Sequence, residues 1–109
     1  MPDVIGNFEQ AVLLAIIHLG KDAYGRAVFN EVQRRLARDL SAGAVYTTLE
    51  RLETKGLVSS RLAPGTALRG GRARRYFVAT GAGVRALKQA RSAVETLWKD
   101  VVWPLKARA

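Results

Sequence analysis

The sequence predicts a mainly α-helical chain with a small β-hairpin, arranged as a winged helix-turn-helix with a long C-terminal helix. Three observations predict it. The run S-A-G-A-V-Y-T-T-L-E-R-L-E-T-K-G-L-V from Ser41 reads as a capped amphipathic helix, a glycine stop and the start of a strand. The run R-G-G-R-A-R-R-Y-F-V-A-T-G-A-G from Arg69 reads as the return arm of an arginine-rich hairpin that feeds another helix. Beyond Thr80, apolar residues recur at alternating steps of three and four, as in a coiled-coil seam. By length, 109 residues make one compact domain, divided into a winged helix-turn-helix over 1–79 and a C-terminal dimerisation helix over 80–109.

The elements follow in order. Asn7 is placed to cap a first helix, with Gln10 three residues on to complete a capping box. From Phe8 to Leu19 almost every face is apolar, which predicts a buried helix, and Gly20 is its stop. Asp22 precedes a second helix carrying Tyr24, Val28, Val32 and Leu36 at steps of four. Its polar face, with Arg26, Glu31, Arg34, Arg35 and Arg38, is expected in solvent or on phosphate. Ser41 caps the third helix, Val45, Leu49 and Leu52 face the core, and Gly56 ends it. Leu57–Leu62 and Arg74–Ala79 read as strands, with Pro64-Gly65 and Gly70-Gly71 punctuating the loop between them. Thr80 caps the last helix, expected to run ~30 Å to a stop or bend at Pro104.

Composition narrows the function. With no cysteine there is no disulfide framework, thiolate metal site or cysteine nucleophile, a usage compatible with the cytoplasm. No stretch reaches the ~20 apolar residues of a membrane span, and no secretory leader is visible. The net charge is +9, and it is concentrated. Between Thr54 and Val94 there is no acidic residue, whereas Lys55, Arg61, Arg69, Arg72, Arg74, Arg75, Arg85, Lys88 and Arg91 are all basic. A concentrated basic surface attracts polyanions, and charge alone leaves nucleic acid and an anionic membrane surface both open.

The motifs point to double-stranded DNA. A major groove accepts an α-helix, and the N-terminal part of the second helix of a helix-turn-helix makes the base contacts. Ala42 and Gly43 are small enough for close backbone approach, and Thr47, Thr48, Arg51 and Lys55 carry polar groups to present. Ser41 with the helix N-terminus, and the Tyr46 hydroxyl, suit phosphates. Arg69, Gly71, Arg72 and Arg74 form the expected DNA-facing wing. Val84, Leu87, Val94, Leu97, Trp98 and Val101 supply the expected homodimer seam, where Trp98 is also placed to stack on a flat aromatic effector. A protein-interaction adaptor and a non-specific nucleic-acid binder are the rival readings.

Enzyme readings fail on parts. His18 is the only histidine, expected in the core or at its boundary. Glu50 and Glu53 read as a solvated pair beside Arg51 and Lys55. Gly81-Ala82-Gly83 with Ala86 mimics a dinucleotide fingerprint, but no second strand with an acidic residue follows. No cofactor or metal constellation is present.

These segments resemble the PadR family of transcriptional regulators. The likeness is carried by Tyr24-Gly25, the Y-x-x-L-x-x-L-x-x-x-G-L run from Tyr46, G-R-A-R-R-Y-F, and T-G-A-G-V-R-A-L, which with the apolar first helix cover nearly the whole chain. The resemblance implies a homodimeric, repressor-like DNA-binding regulator of the short branch, with a single C-terminal dimerisation helix. It implies a DNA-backbone contact at Tyr46 and DNA-facing Gly71-Arg72. Some members of that branch sense planar aromatic compounds at the dimer interface, where Trp98 matches. Two positions depart from the pattern: Ala73 stands where a proline is frequent, and Gly81 where an acidic residue usually follows the threonine.

Overall fold

The structure is a computed structural model and describes residues 5–65 and 70–104. Helix α1 (Asn7–Leu19) passes through a single 3-10 turn (Gly20–Asp22) into α2 (Gly25–Leu36). Helix α3 (Ala42–Thr54) leads to an antiparallel hairpin of β1 (Val58–Ala63) and β2 (Arg74–Ala79), and α4 (Gly81–Trp98) follows. The hairpin register pairs Val58 with Ala79 and Ala63 with Arg74. Helices α1, α2 and α3 enclose a core of Val12, Leu13, Ile16, Val28, Val32, Val45, Leu49 and Leu52, closed at one end by Leu57, Val58 and Phe77.

Local chemistry accounts for most of the element ends. Ser41 Oγ accepts a hydrogen bond from the Ala44 amide at 3.1 Å, and Thr80 Oγ1 does the same for Gly83 at 3.1 Å. Helix α1 departs from the expected cap. Gly6 precedes it in extended conformation and Asn7 is already helical. Glu9 Oε1 reaches back to accept from the Gly6 amide at 3.3 Å, while the Gln10 side chain donates to the Ile5 carbonyl. Helix α2 begins later than Asp22, with Tyr24 in the extended N-cap position, and ends at Ala37 in the left-handed region. The Gln33 side chain then accepts from the Leu40 amide at 2.9 Å, which fixes the turn between α2 and α3.

The hairpin is fastened to the helices by backbone. The Phe77 amide donates to the Ala23 carbonyl at 2.9 Å, and a bridge joins Tyr24 to Tyr76. This ties β2 to the segment that enters α2. The Thr80 amide donates to the Leu57 carbonyl, and Thr80 Oγ1 donates to the Gly56 carbonyl at 2.7 Å. Gly83 packs against the same Leu57 carbonyl, and Ala86 one turn on is buried. The Gly-Ala-Gly run is therefore a packing device for the start of α4.

Three further sequence expectations change. Helix α1 is not buried all round: Leu14 and Ile17 are exposed, and so is His18. Glu31 is buried rather than solvated and pairs with Arg34 and Arg35. Helix α4 spans ~27 Å and ends at Trp98, well before Pro104, with Asp100 in the left-handed region. Val101 thus lies beyond the helix instead of continuing its seam.

Candidate nucleic-acid interface

Helix α3 has two sharply different faces. Val45, Thr48, Leu49 and Leu52 are buried. At ~100° per residue the opposite stripe is Gly43, Thr47, Glu50 and Thr54, and all four are exposed. Arg51 is exposed on one flank of that stripe, and Tyr46, 39% exposed, lies on the other. Ser41 at the N-cap is exposed, and Ala42 is partly buried against the core.

Two expected contact residues are directed elsewhere. Thr48 is buried, and its hydroxyl donates to the Ala44 carbonyl at 2.9 Å, so it belongs to the core stripe. Lys55 sits at the far end of the helix, roughly 20 Å from Ser41 along the axis. Its ammonium pairs with Glu9 of α1 at 3.0 Å, which uses it to hold α3 against α1.

The hairpin stands beside α3. Gly71 and Arg72 are exposed, while Arg69 lies outside the described residues. Gly65 and Gly71 pass so closely that a β-carbon on Gly65 would lie 2.0 Å from the Gly71 carbonyl oxygen, which keeps the neck of the wing narrow. Arg74 is partly buried with its guanidinium 3.8 Å from the centre of the Tyr24 ring. Tyr24 meets Tyr76 edge to face at 5.9 Å, and Arg61 covers Tyr76 at 5.0 Å. Arg75 Nη1 donates to Ser60 Oγ at 3.0 Å, and Ser60 Oγ donates to Glu53 Oε2 at 2.8 Å. Glu53 is thus tied to the wing rather than merely solvated.

An open cleft of about 870 Å³ separates the N-terminus of α2, helix α3 and the wing. Tyr24, Gly25, Tyr46, Glu50, Arg72 and Arg75 are among its walls. Gly25 is small for a reason, since a β-carbon there would meet the Tyr46 ring at 3.2 Å. Sequence reading missed Glu50 as a wall of this cleft. The signal was available: a wheel drawn from Val45, Leu49 and Leu52 puts Glu50 opposite the core.

On α2, Glu31 has a lowered pKa. The hydrogen bond from Arg34 is the main cause, and burial opposes it; the charges of Arg34, Arg35 and His18 add to the lowering. The hydrogen bond to Glu31 in turn raises the pKa of Arg34. A separate groove of about 560 Å³ runs between α1 and α4, lined by Leu14, Val84, Leu87, Arg91 and Val94. Leu97, Trp98 and Val101 continue an exposed apolar surface, with Trp103 packed 5.4 Å from Trp98. Among the described residues, no acidic and histidine cluster could hold a metal ion, and no helix is long and apolar enough to cross a membrane.

Comparison with known proteins agrees with this geometry. The model of the transcriptional regulator PadR-like family matches residues 13–89. The chain is 39% identical over 94 residues to the transcriptional regulator Rv3488 of Mycobacterium tuberculosis, covering 84% of this chain and 83% of that protein. A PadR family transcriptional regulator from Eggerthella lenta superposes with a TM-score of 0.63 at 26% identity, over 83% of this chain and 76% of that one. A PadR family transcription regulator from hypervirulent Clostridium difficile superposes with a TM-score of 0.67 at 24% identity, over 86% and 93%. Helices, hairpin and family match agree over most of the length, and the chain belongs to the PadR-like family of transcriptional regulators, not to an enzyme family.

Proposed function

We propose that the protein is a homodimeric, sequence-specific repressor that works in the cytoplasm on double-stranded DNA. The observation that carries this reading is a shared cleft: Tyr46 and Glu50 of α3 and the wing arginine Arg72 border one opening, and Gly43 and Thr47 lie exposed on the adjoining face of the helix. A duplex laid across the exposed face of α3, with its backbone along the wing, receives Gly43, Thr47 and Arg51 in the major groove. Ser41 and Tyr46 meet phosphates beside it, and Gly71 and Arg72 of the wing meet the flanking backbone. Two-fold symmetry then calls for a pseudo-palindromic operator with half-sites ~34 Å apart.

The dimer contact runs along Val84, Leu87, Val94, Leu97 and Trp98, with Val101 just past the helix and Leu14 of α1 completing the apolar surface. A small aromatic or hydrophobic effector stacking on Trp98 would release the repressor by altering the angle between subunits. The test is fluorescence anisotropy on the duplex upstream of the protein's own gene, against random duplex, at several salt concentrations. Preference for the upstream duplex at physiological salt supports the reading. Equal binding that vanishes in moderate salt reduces the basic face to a polyanion patch, and binding of neither duplex favours a protein-interaction adaptor.

A further inference from the structure

Glu50 occupies the centre of the exposed α3 stripe, one turn beyond Thr47 and one turn before Thr54. It also borders the cleft that holds Arg72 and Arg75. Four other glutamates are engaged: Glu9 by Lys55, Glu31 by Arg34 and Arg35, Glu53 by Ser60, and Glu95 by Arg91. Among the described residues the Glu50 side chain takes part in no hydrogen bond or ion pair, although Arg51 is its immediate neighbour and Arg72 and Arg75 share its cleft.

An unneutralised carboxylate at this position works against general DNA affinity, because it faces phosphate and the acceptor-rich edges of guanine and thymine. It has only acceptors to offer. The base edge that suits it is cytosine, whose major-groove face carries the 4-amino donor. Adenine also has an amino donor, but its N7 acceptor lies beside it and favours an amide side chain over a carboxylate.

We infer that Glu50 is a specificity-determining residue that accepts a hydrogen bond from the 4-amino group of one cytosine in each operator half-site and repels DNA in other registers. This rests on the proposed seating of α3 in the major groove. The experiment is selection from a randomised duplex pool with the full-length wild-type, Glu50→Gln and Glu50→Ala proteins, followed by titration of selected and random duplexes. Wild type selects a motif with an invariant cytosine in each half-site. Glu50→Ala loses that preference by roughly 10-fold while binding random duplex more tightly, and Glu50→Gln moves it toward adenine. Identical motifs from all three proteins would overturn the role of Glu50 and leave the seating of α3 intact. A wild-type protein that selects no motif would overturn both.

Discussion

Gly83 and Leu57 touch backbone to backbone: a β-carbon on Gly83 would lie 2.2 Å from the Leu57 carbonyl oxygen. That carbonyl already accepts from the Thr80 amide, so it is held in place. Glycine-to-alanine changes inside helices normally stabilise, by up to ~1 kcal/mol. Here the sign reverses. Gly83→Ala should cost about 1–3 kcal/mol as α4 is pushed off the hairpin. Urea unfolding checks it, and a midpoint equal to or above wild type would mean that α4 does not dock through this contact.

Glu31 should shape the acid limb of stability. Its folded pKa is lowered, chiefly by the hydrogen bond from Arg34. A lowered carboxylate contributes stability that is fully present above the unfolded value of ~4.3 and is lost as pH falls through the folded one. Glu31→Gln should therefore flatten the decline below that value. Its cost at neutral pH should be small, because the Arg34 side chain is 65% exposed and solvent screens the pair. An acid limb unchanged by the substitution would place the titrating group elsewhere.

What was legible in the sequence was mostly local. Ser41 and Thr80 announce their helices because an N-cap needs only a side-chain oxygen and an amide three residues on. The stripe Val45, Leu49, Leu52 sets the inward face of α3 for the same reason. The failures are non-local or depend on partners. Glu31 could not be recognised as buried until α1 covers α2 beside it. Lys55 could not be assigned to Glu9 without the 46-residue separation closing in space. Leu14 and Ile17 belong to an apolar helix whose second face the single chain leaves exposed. The end of α4 was misjudged because the chain turns away at Lys99 and Asp100, without the proline that was expected to stop it.

The exposed groove between α1 and α4 leads to a prediction about assembly. Val94 is 49% exposed and Leu14 44%, so both remain substantially in water in a lone chain. If a second copy covers them, Val94→Asp puts an unpaired charge in an apolar contact. The variant should sediment as a monomer at concentrations where wild type is a dimer, with its folding retained. Identical sedimentation of the two proteins across a dilution series would remove this groove from the interface.

Arg51 and Arg72 should divide the labour of DNA binding. Arg51 flanks the outward stripe of α3, whereas Arg72 sits on the wing. Arg51→Ala should change which sequences are preferred, at a cost of about 1–3 kcal/mol on the preferred site. Arg72→Ala should weaken all duplexes alike and lower the salt slope by ~1, as expected for one phosphate contact. Comparable losses on preferred and random duplex in both variants would show that no such division exists.

Thr47 and Thr48 are adjacent in sequence and opposite in role. Thr47 is exposed on the stripe that contains Gly43 and Glu50. Thr48 is buried with its hydroxyl spent on the Ala44 carbonyl one turn back. Replacing each with valine removes one hydroxyl and keeps the branched shape. Thr47→Val should weaken specific binding by roughly 1 kcal/mol, the net worth of one hydrogen bond, and leave folding nearly unchanged. Thr48→Val should leave DNA affinity untouched, and its effect on stability should be small, because valine fills the same apolar space and the Ala44 carbonyl still belongs to the helical ladder. Titration of both variants on one duplex, with unfolding curves alongside, separates the outcomes. A loss of affinity confined to Thr48→Val would remove Thr47 from the contact and show that the packing of α3 on the core stripe of Val45, Leu49 and Leu52 governs binding instead.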